Sequence, residues 1–216
     1  MKGEWAGETV AVVGSGPSLR QRDVDRLRRR ARVIVVNDSW RLCSWADMLY
    51  AADHRWWQYH DYVRQFQGQR VTQQSGPKQW PAEAAANGLT VLQSRNNPGF
   101  SEDPAVIHTG SNSGFQAVNI ALLRGASRIL LLGIDLYGTH WFGEHPPALR
   151  KNSPHAMFRK AFAEAAAQLD YSSVSVINCS LLSTLECFPK RTVREVFDDE
   201  GQHSAAHLVA LSSASI

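Results

Sequence analysis

Cysteine is scarce in this chain, and the three present, Cys43, Cys179 and Cys187, make an odd count with no metal-ligand spacing. That excludes a disulfide scaffold and a zinc module, and the expectation is synthesis and residence in a reducing cytosol. No apolar run approaches the ~20 residues of a membrane span. The opening MKGEWAGETV has no apolar signal core. There is no internal repeat and no shift of composition to mark a second domain; 216 residues at 44% hydrophobic content suffice for one well-buried α/β core. Charge is nearly balanced, at +3. Much of the excess lies in Arg20 to Arg32, RQRDVDRLRRRAR, where acids interleave; this reads first as a solvated helix face, and only second as a nucleic-acid or phospholipid surface.

Both standard phosphate motifs are missing too. The loop in Thr9 to Ser18, TVAVVGSGPS, lacks the third glycine of G-x-G-x-x-G and the Gly-Lys-Ser/Thr ending of a P-loop. A nicotinamide dehydrogenase and a P-loop kinase are therefore unsupported. What the segment does contain is a continuous apolar run, Val10 to Val13, the pattern of a strand buried on both faces of a parallel sheet. Its loop opens where such sheets bind ligands. Gly14 and Gly16 let the backbone approach an oxyanion, Ser15 and Ser18 add hydroxyl donors around Pro17, and a helix over Leu19 to Arg32 would turn its N-terminus to the same anion. The plainer alternative is a tight strand-to-helix turn.

Strands and helices alternate along the rest of the chain, which predicts a doubly wound, mostly parallel α/β sheet. RVIVVN (Arg32 to Asn37), MLYAAD (Met48 to Asp53), SRILLLGID (Ser127 to Asp135) and Val174 to Cys179 read as strands, the third of them central. HRWWQYHDYVRQF and Ala156 to Leu169 read as helices, and a helix follows GSNSG with Val118, Ala121 and Leu122 at core spacing. Residues 66–97 form an insert, broken by Gly76, Pro77, Pro81 and Gly88, in which Leu89 to Gln93 alone resembles a strand. One domain is expected over residues 1–209, with 210–216 a flexible tail.

Strand polarity places Ser15, Asn37, Asp53, Asp135 and Asn178 at or just past carboxyl ends of strands, on the ligand-binding rim. Each could equally cap a helix. A second loop, TGSNSG, repeats the chemistry of the first with Ser111, Asn112, Ser113 and Gly114 at a helix start. Two such loops could embrace a nucleotide. The segment IDLYGTHWFGEHPP adds Tyr137, His140, Trp141, Glu144 and His145, groups able to neutralise a leaving phosphate or move a proton near neutral pH. His140, Glu144 and His145 as ligands of a divalent metal is the competing reading, although their spacing is not that of H-E-x-x-H. Trp56, Trp57 and Tyr59 could stack on a sugar or base, or pack in the core.

The succession GSGPSL, VVND, SGFQAVNIALLRGASRILLLGIDLY, a histidine-led helix and INCS resembles the bacterial sialyltransferases of glycosyltransferase family 42, and the related 6-hydroxymethylpterin diphosphokinase-like enzymes and phage-borne relatives. The resemblance runs from Val10 to about Phe188. It implies a single Rossmann-like domain in which Gly14 to Ser18, Asn37 and Ser113 hold the nucleotide of a CMP- or UDP-linked sugar. It further implies that Tyr137 neutralises the departing phosphate and that His155 is the base for the acceptor hydroxyl, a glycan, lipid-linked glycan, protein or modified DNA. The chain departs from that family at Ser15, where the family has asparagine, and at Gly143, where its second phosphate-facing tyrosine falls. The competing enzyme reading is a phosphotransferase using ATP and magnesium, with Asp53, Asp135 and Glu144 as its acids; a non-catalytic nucleotide-binding protein is the third.

Overall fold

The computed structural model describes residues 3–169 and 172–198; the expected tail, 210–216, lies outside them. Within the described residues a single sheet contains β1 (Thr9–Val13), β2 (Arg32–Val36), β3 (Met48–Tyr50), β4 (Gln69–Gln73), β5 (Thr90–Arg95), β6 (Val106–His108), β7 (Arg128–Leu132) and β8 (Ser175–Asn178). Their order across the sheet is β6-β5-β4-β3-β2-β1-β7-β8, and every adjacent pair is parallel.

The helices follow from the direction of winding. While the chain steps outward from β1 to β6, right-handed crossovers put α1 (Gln21–Asp25), α2 (His54–Tyr59) and α3 (Trp80–Ala86) on one face. The chain then returns along α4 (Ser113–Leu123) to lay β7 against the far side of β1, and α5 (His155–Leu169) leads to β8. Reversing direction moves these two helices to the other face. Alternate strand residues record both layers: Val10, Val12, Ile34 and Met48 pack with Phe115, Val118 and Phe162, whereas Ala11, Val13, Val33 and Leu49 pack with Val24, Trp57 and Trp80. Val10 to Val13 are wholly buried, as a two-face strand requires.

Three expectations change. The first helix is Gln21–Asp25 and not 19–32: Arg20, at its N-cap position, makes no side-chain cap, and Arg29 adopts a left-handed φ of 64°. The tryptophan helix stops at Tyr59 because Asp61, Tyr62 and Val63 all take positive φ. Residues 66–97, read with one strand, hold β4, α3 and β5. Trp56 and Trp57 are core residues, 3% and 0% exposed, so the stacking reading is set aside for them. Among the described residues, no helix is long and apolar enough to cross a membrane.

Candidate functional site

The switch in winding leaves an opening between the carboxyl ends of β1 and β7, and α4 points its N-terminus into it. A crevice of about 940 Å³ lies there. Gly14, Ser15, Gly16, Asn37, Asp53, Ser111, Asn112, Ser113, Gly114, Asp135, Tyr137, His140, His145 and His155 all line it. Pro17, Ser18 and Asn178 do not: Ser18 bonds Asp135, and Asn178 is buried against Leu185 O and the Ser180 amide.

The first loop spends most of its donors internally. The Gly14 and Gly16 amides donate to Leu132 O and Gly133 O, both at 2.8 Å, stitching β1 to the end of β7. Ser18 donates its amide and hydroxyl to the two carboxylate oxygens of Asp135, at 2.7 and 2.6 Å. Ser15 Oγ donates to Val36 O at 3.2 Å, and Ser39 Oγ donates to Gly14 O at 2.7 Å. The oxyanion that Gly16 and Ser18 accommodate is thus the protein's own: a Cβ on Gly16 would stand 2.6 Å from Asp135 Cγ, whereas at Gly14 it would meet the Gly133 carbonyl and Ile134. The expected anion at the start of the following helix finds only the five-residue α1 there.

α4 is the better donor. Asn112 caps it, its Oδ1 accepting the Phe115 amide at 3.0 Å and its carbonyl the Gln116 amide at 3.1 Å. The first-turn amides of Ser113 and Gly114 have no acceptor within the helix, and both residues face the crevice. Gly114 sits close under Ile134, whose Cδ1 would have to move from a Cβ placed there at 2.7 Å. Ser111 precedes the cap with a left-handed φ of 54°.

The opposite wall is basic. Asp53 caps α2 through the Arg55 amide and binds Arg55 Nη2 at 3.2 Å and Lys151 Nζ at 2.7 Å. Burial pushes its carboxyl up, but Lys151 and Arg55 outweigh this and hold it below the ordinary range. The aromatic loop closes the third side. Trp141 donates its amide to Ser15 O at 3.0 Å, and a tight turn, His140 to Gly143, has Gly143 at φ 89°. The His140 and His145 rings lie 4.4 Å apart, with His140 stacked on Phe142. Glu144 turns outward to Arg150 at 2.8 Å, away from the two histidines, and among the described residues no three His, Cys, Asp or Glu are placed to hold a metal. Tyr137 is half-buried beside this loop, and His155 opens α5.

Asp38 and His60 were not singled out in the sequence. Asp38 is buried just behind Asn37 and accepts Trp56 Nε1 at 2.9 Å, while His60 packs its ring 4.5 Å from that of Trp56. The acid of VVND was the available signal; it looks like any strand-end turn residue.

Burial is the chief cause that holds His60, His140, His145 and His155 below the ordinary imidazole value of 6.5. The unfolded chain therefore binds protons more readily, so stability is full above about pH 6.5 and declines as pH falls below it. Thermal melts should show a Tm a few degrees lower at pH ~5.5 than at pH ~7.5. An equal or higher Tm in acid would refute the buried neutral rings.

Fold and crevice together define an open parallel α/β protein with a polar cleft at its topological switch point. No family model matches the chain, and no curated protein does. Among solved structures, the sialyltransferase CstII from Campylobacter jejuni, in complex with a substrate analogue, cytidine-5'-monophosphate, shares the fold with a TM-score of 0.53. The match has 15% identity and covers 86% of this chain and 85% of that one.

Proposed function

We propose that the protein is a metal-independent glycosyltransferase acting on a nucleotide-activated sugar, CMP- or UDP-linked. One observation carries the reading: a single crevice joins the unused amides of Ser113 and Gly114 to Tyr137, His140, His145 and His155. The α4 N-terminus receives the phosphate, with Asn37, Asp53, Ser111 and Asn112 around the nucleoside and the Gly14–Gly16 backbone as a wall. Tyr137 and a loop histidine neutralise the departing phosphate, where charge develops and stabilisation counts most. His155 accepts the proton of the acceptor hydroxyl. A fold neighbour whose structure is a complex with cytidine-5'-monophosphate supports a nucleotide-activated donor.

CMP or UDP without metal should raise the Tm, since saturating ligand at 100 times Kd adds about 2.7 kcal/mol to stability. A shift seen solely with ATP plus magnesium would replace this reading by phosphotransfer. No shift with any nucleotide or nucleotide sugar would remove both.

A further inference from the structure

Behind the crevice sits a buried carboxylate, Asp38, for which the proposed reaction supplies no role. The Asp38 side chain is 4% exposed, and its Oδ1 lies 3.4 Å from Arg41 Nη1. Two imidazoles also face this carboxylate, His60 with Nε2 3.6 Å from Oδ1 and His145 with Nδ1 3.8 Å from Oδ2. Both nitrogens are buried and lack any hydrogen-bond partner. A buried ring nitrogen without a partner, slightly beyond bonding range of a carboxylate, can close on it as a donor, and such contacts commonly tighten when a site fills. His145 differs from His60 because it also lines the crevice. With Nδ1 turned inward, the Nε2 edge of the ring is left on the crevice side, beside His140.

We propose that Asp38 is the positioning residue for His145: it holds the proton on Nδ1, leaves Nε2 bare toward the crevice, and supplies the counter-charge with which the ring gains a proton when a phosphate lands beside it. The proposal rests on the reading of this crevice as a phosphate-bearing donor site. The proton comes from solvent; Nδ1 keeps its own, Nε2 gains one, and the imidazolium donates Nε2–H to a phosphate oxygen. Without that uptake Nε2 has nothing to donate, and a loop histidine could not neutralise a leaving group.

The surroundings explain why the uptake waits for a ligand. Burial holds His145 neutral, His60 from the end of α2 opposes its charge, and Asp38 favours it. Arg41, on the same turn as Asp38, adds positive charge and lies over Trp141 and Phe142 of the histidine loop. His140 faces the ring from its own loop, and Arg150 Nε donates to His145 O at 3.2 Å while its Nη2 pairs with Glu144. Asp38 alone is too little to charge the ring, and a phosphate supplies the rest.

Nitrogen-15 NMR of the imidazoles in the full-length protein tests this. The ligand-free wild type should show His145 as the Nδ1–H tautomer, and adding CMP or inorganic phosphate should raise its pKa by about one unit or more. Asp38→Asn should lower the ligand-free His145 pKa by about one unit and weaken CMP binding near pH 6.5 about tenfold, and Asp38→Glu should restore part of both. An Nε2–H tautomer in the wild type, or an unchanged His145 titration in Asp38→Asn, overturns the proposal. If Asp38→Asn does not fold, the wild-type tautomer and the protons taken up on CMP binding, from calorimetry in two buffers, decide: uptake supports the proposal, and its absence overturns it. If neither CMP nor phosphate binds, the donor-site reading fails, whereas the ligand-free tautomer and the Asp38→Asn titration still judge Asp38.

Discussion

Asp135→Ala is expected to cost about 3–6 kcal/mol of stability, because two hydrogen bonds to a buried carboxylate, each contributing roughly 1.5–3 kcal/mol, are lost together. Asp135 is 1% exposed and is the acceptor for both the amide and the hydroxyl of Ser18. Alanine would leave that amide beside a void with no partner. The damage should spread, since the same loop carries the Ser15 carbonyl that receives the Trp141 amide. Urea denaturation should give a lower midpoint at unchanged slope. Asp135→Asn keeps one acceptor oxygen and should lose about half as much. A loss below ~1 kcal/mol in Asp135→Ala would mean that the strand-end stitching by Gly14 and Gly16 holds the loop unaided.

The same carboxylate shows where sequence reading stopped. Two glycines and two serines after a buried strand signal a backbone that tolerates a close oxyanion, and such a backbone is there. Whether that oxyanion is a ligand's phosphate or a side chain arriving from β7 depends on tertiary register, which no local pattern carries. α4, by contrast, was legible in kind: TGSNSG has the cap residue, and its glycine fits beneath Ile134.

The sheet was read unevenly for similar reasons. β1, β2 and β7 are apolar throughout because both faces are covered. β4 escaped notice because Val71 is its sole large aliphatic residue, while buried Thr72 bonds Ala51 O and buried Gln73 bonds Ala52 O. α3 was hidden by Pro81, which reads as a break but sits in the first helical turn, where a missing amide proton costs nothing. β6 is three residues long, too short for periodicity to register. Strand polarity nonetheless sufficed to bring Asn37, Asp53 and Asp135 to one rim. Asp38 was invisible because His60 and His145, which give it meaning, come from distant segments that meet only in the fold.

His155→Ala should reduce turnover about 10²- to 10⁴-fold, the usual span for removing a general base, with nucleotide affinity little changed. The measurement is release of CMP or UDP from its sugar conjugate, with water or an added saccharide as acceptor. The position suits a general base, because His155 opens α5 at the crevice wall and, among the described residues, its ring nitrogens carry no hydrogen bond while the ring lies 6.4 Å from that of Phe158. Its environment sets the protonation state. Burial first, and then the Arg159 guanidinium one turn along α5, hold the imidazole below 6.5, so the base form dominates at neutral pH. The rising limb of the rate at low substrate should therefore have its inflection below about 6.5. Arg159→Gln removes the nearby cation and should move that inflection upward. Arg159 also donates to Leu136 O at 3.0 Å, so the shift must be read in a variant whose melting curve stays cooperative. A His155→Ala protein that binds nucleotide and turns over at the wild-type rate would take the base role from His155. An inflection that stays put in Arg159→Gln while the rate survives would assign the observed proton to another ring of the crevice, and His140 and His145, already side by side, are the two to replace next.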